Sequence, residues 1–257
     1  MQTAYKKYDG IEVFSSDRLE IDNSYNKIVV TPTEYSRDII FRLIENGIPK
    51  HKIIDWGTPI KQLLEGQYFD LPFLRCTDDE VFIDAGGFDG MSSVRFARWA
   101  KKFKHIYIFE PDEDNILKCQ ETLQKENIFS LTTLVNKGCW SKNTTLHFHS
   151  SGDILSYICE DEQEDSELVE VVGIDEILDG ERATFVKMDI EGSELEALKG
   201  AEKTIKTWKP KLAVCAYHKP EDIITIPKLI LEYNPEYKLY IRHYSHLDLA
   251  ETVLYEI

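Results

Sequence analysis

The stretch Asp84-Ala85-Gly86-Gly87-Phe88-Asp89-Gly90 follows the apolar run Val81-Phe82-Ile83 and sets two carboxylates beside three glycines. Glycine at such a turn lets the backbone come close to a ligand. The spacing is not the dinucleotide fingerprint G-x-G-x-x-G, because Phe88 stands where the second glycine belongs when counting from Gly86. A pyrophosphate needs bare amides at a helix start, and the flanking Asp84 and Asp89 would repel it. They suit a ligand that carries an ammonium and a sulfonium, the charges of S-adenosylmethionine. One strand-helix-strand unit later, Ile106-Tyr107-Ile108-Phe109 runs into Glu110-Pro111. A carboxylate at that strand end can accept both hydrogen bonds of a ribose diol.

Three more candidates lie where later strands should end: Asp189, Glu191 and His218. Histidine has the ordinary pKa of a base working near neutrality. The carboxylates could orient an acceptor, hold a cation or orient the histidine. Glu191 and Glu194 also fit the favourable placing of negative charge at a helix start, and His218 fits a helix entry before Pro220. Nothing in the spacing demands a metal, and none is expected. His147 and His149 alternate along an extended run and read as surface residues. The five cysteines are scattered with no C-x-x-C, which fits small buried residues in a reducing compartment.

These residues need a scaffold that brings strand ends together. Val81 to Ile83, His105 to Phe109, Thr184 to Met188 and Lys211 to Ala216 read as strands. Ser92 to Lys102, Asp112 to Glu126, a segment from Ser193, and Glu221 to Leu231 read as helices between and after them. Phe129 to Val135, Thr145 to His149 and Leu168 to Val172 look extended. Such alternation implies a mostly parallel α/β sheet with helices on both faces. Tyr237 to Arg242 and Thr252 to Tyr255 suggest an antiparallel edge hairpin. Ligands of such sheets bind beyond the carboxyl ends of the strands, which is where all the candidates fall. Ahead of these, Ile28 to Val30, a helix from Tyr35 to Asn46 and Lys52 to Trp56 form a βαβ unit, with Ile11 to Phe14 as a further strand. A break is expected between about 60 and 80, where Pro59, Gly66, Pro72 and Asp78-Asp79-Glu80 punctuate the chain. Residues 1–70 thus form a small α/β module and 71–257 the main domain.

The stretches Phe82 to Gly90 and Phe109-Glu110-Pro111 resemble the class I S-adenosylmethionine-dependent methyltransferases. Val186-Lys187-Met188-Asp189-Ile190-Glu191-Gly192-Ser193-Glu194, running on to Ala197-Leu198-Lys199-Gly200-Ala201, is similar to the D-x-E-G-x-E…L-x-G-A signature of the FkbM type. Ala216-Tyr217-His218-Lys219-Pro220-Glu221-Asp222 and Glu251-Thr252-Val253-Leu254-Tyr255 are similar as well, so the resemblance spans residues 76 to 257. It implies a Rossmann-like seven-stranded sheet, S-adenosyl-L-methionine as cofactor, and O-methylation of a hydroxyl on a sugar or secondary metabolite. It also implies that Asp84, Gly86, Gly87, Asp89 and Gly90 surround the methionine end, with Asp189 beside them. Glu110 and Pro111 then border the ribose, and Lys137 and Gly138, in Asn136 to Trp140, the adenine. Trp140 reads equally as a stacking surface and as core. His218, Asp189 and Glu191 are the residues expected to carry the chemistry. Residues before about 70 resemble a nucleotide-binding-type module found beside carbohydrate-modifying enzymes.

The whole chain has 257 residues, 42% of them hydrophobic, with 46 acidic against 30 basic residues and a net charge of −16. Such a surface repels nucleic-acid backbones and anionic lipid. No run approaches a membrane span and the first residues lack a signal peptide's apolar core. The expectation is a cytoplasmic protein acting on a small molecule, with the N-terminal module as a possible homodimer interface. The acidic run Glu160 to Glu167 reads as a solvated loop. The competing reading is a non-catalytic nucleotide or sugar-nucleotide binding module.

Overall fold

The computed structural model describes residues 6–8, 11–13, 26–31, 36–149, 157–159, 166–245 and 251–257. The chain divides into two units, Met1–Glu65 and Gly66–Ile257. In the first, β1 (Lys6–Tyr8) pairs antiparallel with β2 (Ile11–Val13). The expected βαβ is present: β3 (Ile28–Val30) pairs in parallel with β4 (Ile53–Asp55) around α1 (Ser36–Glu45). Gly47, at φ +82°, follows the end of α1, where a left-handed residue turns the chain out of a helix. Asp55 ties this unit together, accepting from Ser36 Oγ and the Thr58 amide, each at 2.9 Å.

Helix α2 (Gly57–Gly66) crosses the start of the punctuated stretch, and the two units divide at its last residue. Pro59 sits in the first turn, where its missing N–H would have had no helical partner.

The second unit is built on β5 (Val81–Ala85), whose five residues are all buried, as strands covered on both faces require. Then come α3 (Met91–Ala100), β6 (His105–Phe109), α4 (Glu113–Lys125) and β7 (Thr132–Val135). A 3-10 turn at Phe129–Leu131 takes the start of the run expected to be extended. Next are β8 (Gly138–Cys139), β9 (Thr144–His149), β10 (Tyr157–Cys159), β11 (Ser166–Val172) and α5 (Ile174–Leu178). The chain closes with β12 (Phe185–Met188), α6 (Glu194–Lys199), α7 (Glu202–Trp208), β13 (Lys211–Cys215), α8 (Asp222–Tyr233), β14 (Leu239–His243) and β15 (Thr252–Glu256).

Seven strands form one sheet in the order β14-β15-β13-β12-β5-β6-β7. Only β15 runs against the others, antiparallel to both β13 and β14. The terminal hairpin is therefore not simply an edge: β15 is inserted, and β14 forms the rim. The strand order reverses between β5 and β12, so the crevice beyond their carboxyl ends is the switch point where such folds bind ligands. Strands β8 to β11 leave this sheet for a separate four-stranded one, β10-β9-β11-β8. Residues 160–165 of the acidic run lie outside the described residues.

Side-chain alternation explains the two-faced core. Ile83, Ala85, Val186 and Met188 enter an aliphatic cluster with Leu198, Ile205, Ile226 and Leu254. Phe82 and Phe185 face the other way, onto Phe69, Phe96 and Trp99. Phe82 and Phe96 stack with centroids 4.3 Å apart. Asp84 and Lys187 share the register of this aromatic face, which places an ion pair beneath the crevice.

Candidate active site

The glycine turn after β5 is anchored to two neighbouring strands. The amides of Gly86 and Gly87 donate to the Phe109 carbonyl at 3.0 and 3.1 Å. Gly86 has φ +86°, and a Cβ there would sit 2.0 Å from the Asp189 carbonyl oxygen. Only glycine lets the turn lie this flat against β12. Gly90 leads into α3 in the left-handed region, and Asp89 accepts from the Met91 amide at 3.0 Å.

Asp84 does not face the crevice as expected, for it has no exposed surface. Its Oδ2 accepts from Ser92 and Ser93 at 2.5 and 2.7 Å, and its Oδ1 lies 3.1 Å from Lys187 Nζ. The Lys187 ammonium also donates to the carbonyls of Ala85 and Gly86, at 3.3 and 2.6 Å. Burial disfavours this charge, but Asp84 and Asp189 outweigh it and push the lysine up to about 12. The pair holds the turn from beneath.

Glu110 is buried, and each oxygen meets a backbone amide: Phe88 donates to Oε2 at 2.8 Å and Asp112 to Oε1 at 3.1 Å. Desolvation raises its pKa, and the amides oppose that rise. A cavity of about 490 Å³ opens beside it, lined by Pro111, Asp112, Asn136, Leu168 and Glu170. Gly138 lies buried in β8, and Lys137 turns to Glu170 at 2.6 Å. Trp140 is only 8% exposed and reads as core.

Across the switch point, β12 and β13 bring Asp189, Glu191 and His218 together. His218 Nε2 lies 3.3 Å from Glu191 Oε2 and 3.6 Å from Asp189 Oδ1. Its Nδ1 lies 2.9 Å from Glu194 Oε1. Burial of the ring opposes its charge, but the contact with Glu194 and the charges of Glu194, Asp189 and Glu191 outweigh it and raise the imidazole's pKa. Glu191 sits at φ +52° and is pushed up to about 7, first by desolvation and then by neighbouring carboxylates, against the pull of His218. Burial would raise Asp189, but Lys187, His218 and a hydrogen bond from Tyr68 hold it below the usual carboxylate range. Asp189, Glu194 and His218 present ligand-type atoms within 4.8 Å of one another. Glu194, however, approaches one ring nitrogen and Asp189 the other, so the carboxylates surround the imidazole rather than a shared point.

Four residues of this arrangement escaped the sequence reading. Lys187 had a signal, a cation inside the apolar strand Phe185 to Met188. In the sequence Glu194 fits helix-start charge, yet it is fully buried against the histidine. Tyr217 donates to Asp189 Oδ1 at 3.2 Å, and Tyr68 donates to Oδ2 at 2.9 Å from 121 positions upstream.

A parallel sheet with one inserted antiparallel strand and an acid-flanked glycine turn at its switch point defines the class I methyltransferase fold. The model of the methyltransferase FkbM domain matches residues 84–246, and the chain belongs to that family of methyltransferases. It is similar to the crystal structure of methyltransferase FkbM from Methylobacillus flagellatus KT, at 25% identity and a TM-score of 0.64, over 98% of this chain and 80% of that one. It is also similar to Aeropyrum pernix fibrillarin in complex with natively bound S-adenosyl-L-methionine (9% identity, TM-score 0.47, 76% of this chain and 72% of that one). A third similar structure is an rRNA methylase from Streptococcus thermophilus (15% identity, TM-score 0.44, 70% and 86% covered). No curated protein matches the sequence. Among the described residues, no helix is long and apolar enough to cross a membrane.

Proposed function

We propose that this methyltransferase uses S-adenosylmethionine to methylate a hydroxyl on a small carbohydrate-like or natural-product acceptor. The observation that carries the reading is the Glu191–His218–Asp189 cluster, which faces the glycine turn across the switch point. The donor set fits the methyl donor: Asp89 and Glu110 favour a cationic ligand over a pyrophosphate, and the cavity beside Pro111 and Asn136 has room for the adenosine half. Asp84 and Lys187 shape the turn from below. Glu110 Oε2 keeps a lone pair for a ribose hydroxyl beside the Phe88 amide it accepts, while Oε1 accepts from both the Asp112 amide and Asn115 Nδ2. When bound, the donor supplies an electrophilic methyl group on a sulfonium.

The chain's own part is alignment and proton removal. Holding the acceptor oxygen in line is worth on the order of 7–11 kcal/mol when the geometry is near-attack, and a positioned base adds roughly 10²–10⁴-fold. Glu191, with a side chain 28% exposed and a pKa of about 7, is both reachable and poised to take the hydroxyl proton. His218, only 8% exposed and enclosed by carboxylates, holds Glu191 and Asp189 in place through its Nε2. The net charge of −16 supports a small acceptor in place of nucleic acid. We further propose a cytoplasmic location and self-association through the N-terminal unit.

Thermal unfolding with S-adenosylhomocysteine, NADH and UDP-sugars in parallel tests the donor assignment. Ligand at 100 times its Kd stabilises by about 2.7 kcal/mol, a shift of about 2–4 °C per kcal/mol for a chain this size. A response to a UDP-sugar and none to S-adenosylhomocysteine would overturn it. A screen of polyols, aminosugars and phenols for S-adenosylhomocysteine release then finds the acceptor.

A further inference from the structure

Tyr68 lies upstream of the segment 84–246 that matches the family model, in a stretch where the sequence shows only a punctuated connection. Its backbone is at φ +74°, a conformation unfavourable for a bulky residue that persists only where the surroundings enforce it. The enforcement is a chain of hydrogen bonds. The Tyr68 amide donates to Tyr255 Oη at 3.0 Å, and the hydroxyls of Tyr255 and Tyr244 meet at 2.6 Å. Tyr244 donates to Asp70 at 2.6 Å, and Arg242 holds the other oxygen of Asp70 at 2.6 Å. Gln67, next in sequence, donates to Glu251 at 2.6 Å and to the Tyr68 oxygen at 3.3 Å.

With Gln67 donating to the phenol oxygen, the phenol's own proton is directed onward to Asp189 Oδ2, 2.9 Å away. The ring is buried, and the Lys187 ammonium lies 5.6 Å from its centroid. Asp189 is thereby held by one oxygen from behind, which turns its Oδ1 toward His218.

We propose that Tyr68 is a positioning residue of the active site: it fixes the Asp189 carboxylate and, through it, the imidazole of His218. The inference rests on the reading of Asp189 and His218 as the working centre. Gln67 and Asp70 belong to the same device, so the connection ahead of β5 is part of the site's machinery.

Histidine-resolved NMR titration of the full chain tests this. Tyr68→Phe keeps the ring but frees Asp189 Oδ2, leaving the carboxylate less stabilised and more basic. The expected result is an upward shift of the His218 midpoint. Tyr237→Phe is the control, since it also removes a buried phenol hydrogen bond, to the Pro210 carbonyl at 2.6 Å, but away from the site. An unmoved His218 midpoint in Tyr68→Phe, or the same shift in both variants, overturns the proposal. Should Tyr68→Phe fail to fold, Asp189→Asn in tyrosine-labelled protein reads the reciprocal effect: the Tyr68 Cζ resonance moves, and its failure to move overturns the proposal equally. Binding of S-adenosylhomocysteine, followed separately by thermal unfolding, reports the donor assignment, so the two readings fail independently.

Discussion

Lys187 and Asp84 face each other across β12 and β5 with Nζ 3.1 Å from Oδ1, and neither side chain exceeds 3% exposure. One strand carries the motif acids at its end and the other carries the glycine turn, so this ion pair joins the two halves of the site. Both charges have further partners, the serines of α3 on one side and two backbone carbonyls on the other. Such satisfaction is what a buried pair requires to persist.

Removing one partner should therefore be worse than removing both. Lys187→Met strands the Asp84 carboxylate and is expected to cost about 3–5 kcal/mol. Lys187→Met combined with Asp84→Asn should recover part of that loss. Urea unfolding of the two single variants and the double variant gives the coupling. Simple additivity would mean that the pair is not a unit.

Gly86→Ala should abolish binding at the turn. The new Cβ would meet the Asp189 carbonyl at 2.0 Å in a conformation that already disfavours side chains. Gly180 has the same φ of +86° with nothing within 4 Å, so Gly180→Ala measures the conformational penalty alone, about 1 kcal/mol. The thermal shift with S-adenosylhomocysteine should vanish in Gly86→Ala and survive in Gly180→Ala.

Much of this site was legible because its acids lie within short local patterns. The turn at Asp84 to Gly90 and the strand ends at Glu110, Asp189 and His218 follow from apolar periodicity and the rule that ligands sit beyond strand ends. Orientation was not legible. Asp84 and Asp89 look alike in sequence, yet one is sealed against Lys187 and the other meets a helix amide. Alternation along β5 fixes that difference only once the pairing with β12 is known. Tyr68 could not have been found, because its partner is remote in the chain and its backbone conformation carries no compositional signal. The departure of β9 and β11 into a second sheet was hidden for the same reason, since an extended run does not name its neighbour.

Glu256 gives a stability prediction free of any ligand. It is fully buried on the inserted strand β15, with no hydrogen-bond partner for either oxygen among the described residues, and desolvation pushes it up to about 8. In the unfolded chain it titrates near the ordinary glutamate value, so between the two values the folded state binds the extra proton. Stability is unaffected by this group below the ordinary value, falls as pH rises between them, and bears the full penalty above about 8. Glu256→Gln should flatten the decline in Tm between pH 5 and pH 8 relative to the parent chain. An equally steep decline in both proteins would show that the carboxyl is charged and accommodated.

The proton path should appear in the pH dependence of methyl transfer. Glu191 at about 7 is protonated, and therefore idle as a base, on the acid side. His218 is raised above its ordinary value by Glu194 and the neighbouring carboxylates, against the burial of its ring. As pH climbs, Glu191 ionises and kcat/KM rises. Where His218 loses its proton, the carboxylates around it lose their cation, and the rate falls again. The resulting bell reports the coupled pair rather than either residue alone. With an acceptor from the screen, Glu191→Gln should lower kcat by roughly 10²–10⁴-fold and erase the acid limb while leaving S-adenosylhomocysteine affinity nearly unchanged. His218→Asn should erase the alkaline limb. An acid limb that survives in Glu191→Gln would move the base to His218 itself and leave Glu191 as its charged neighbour.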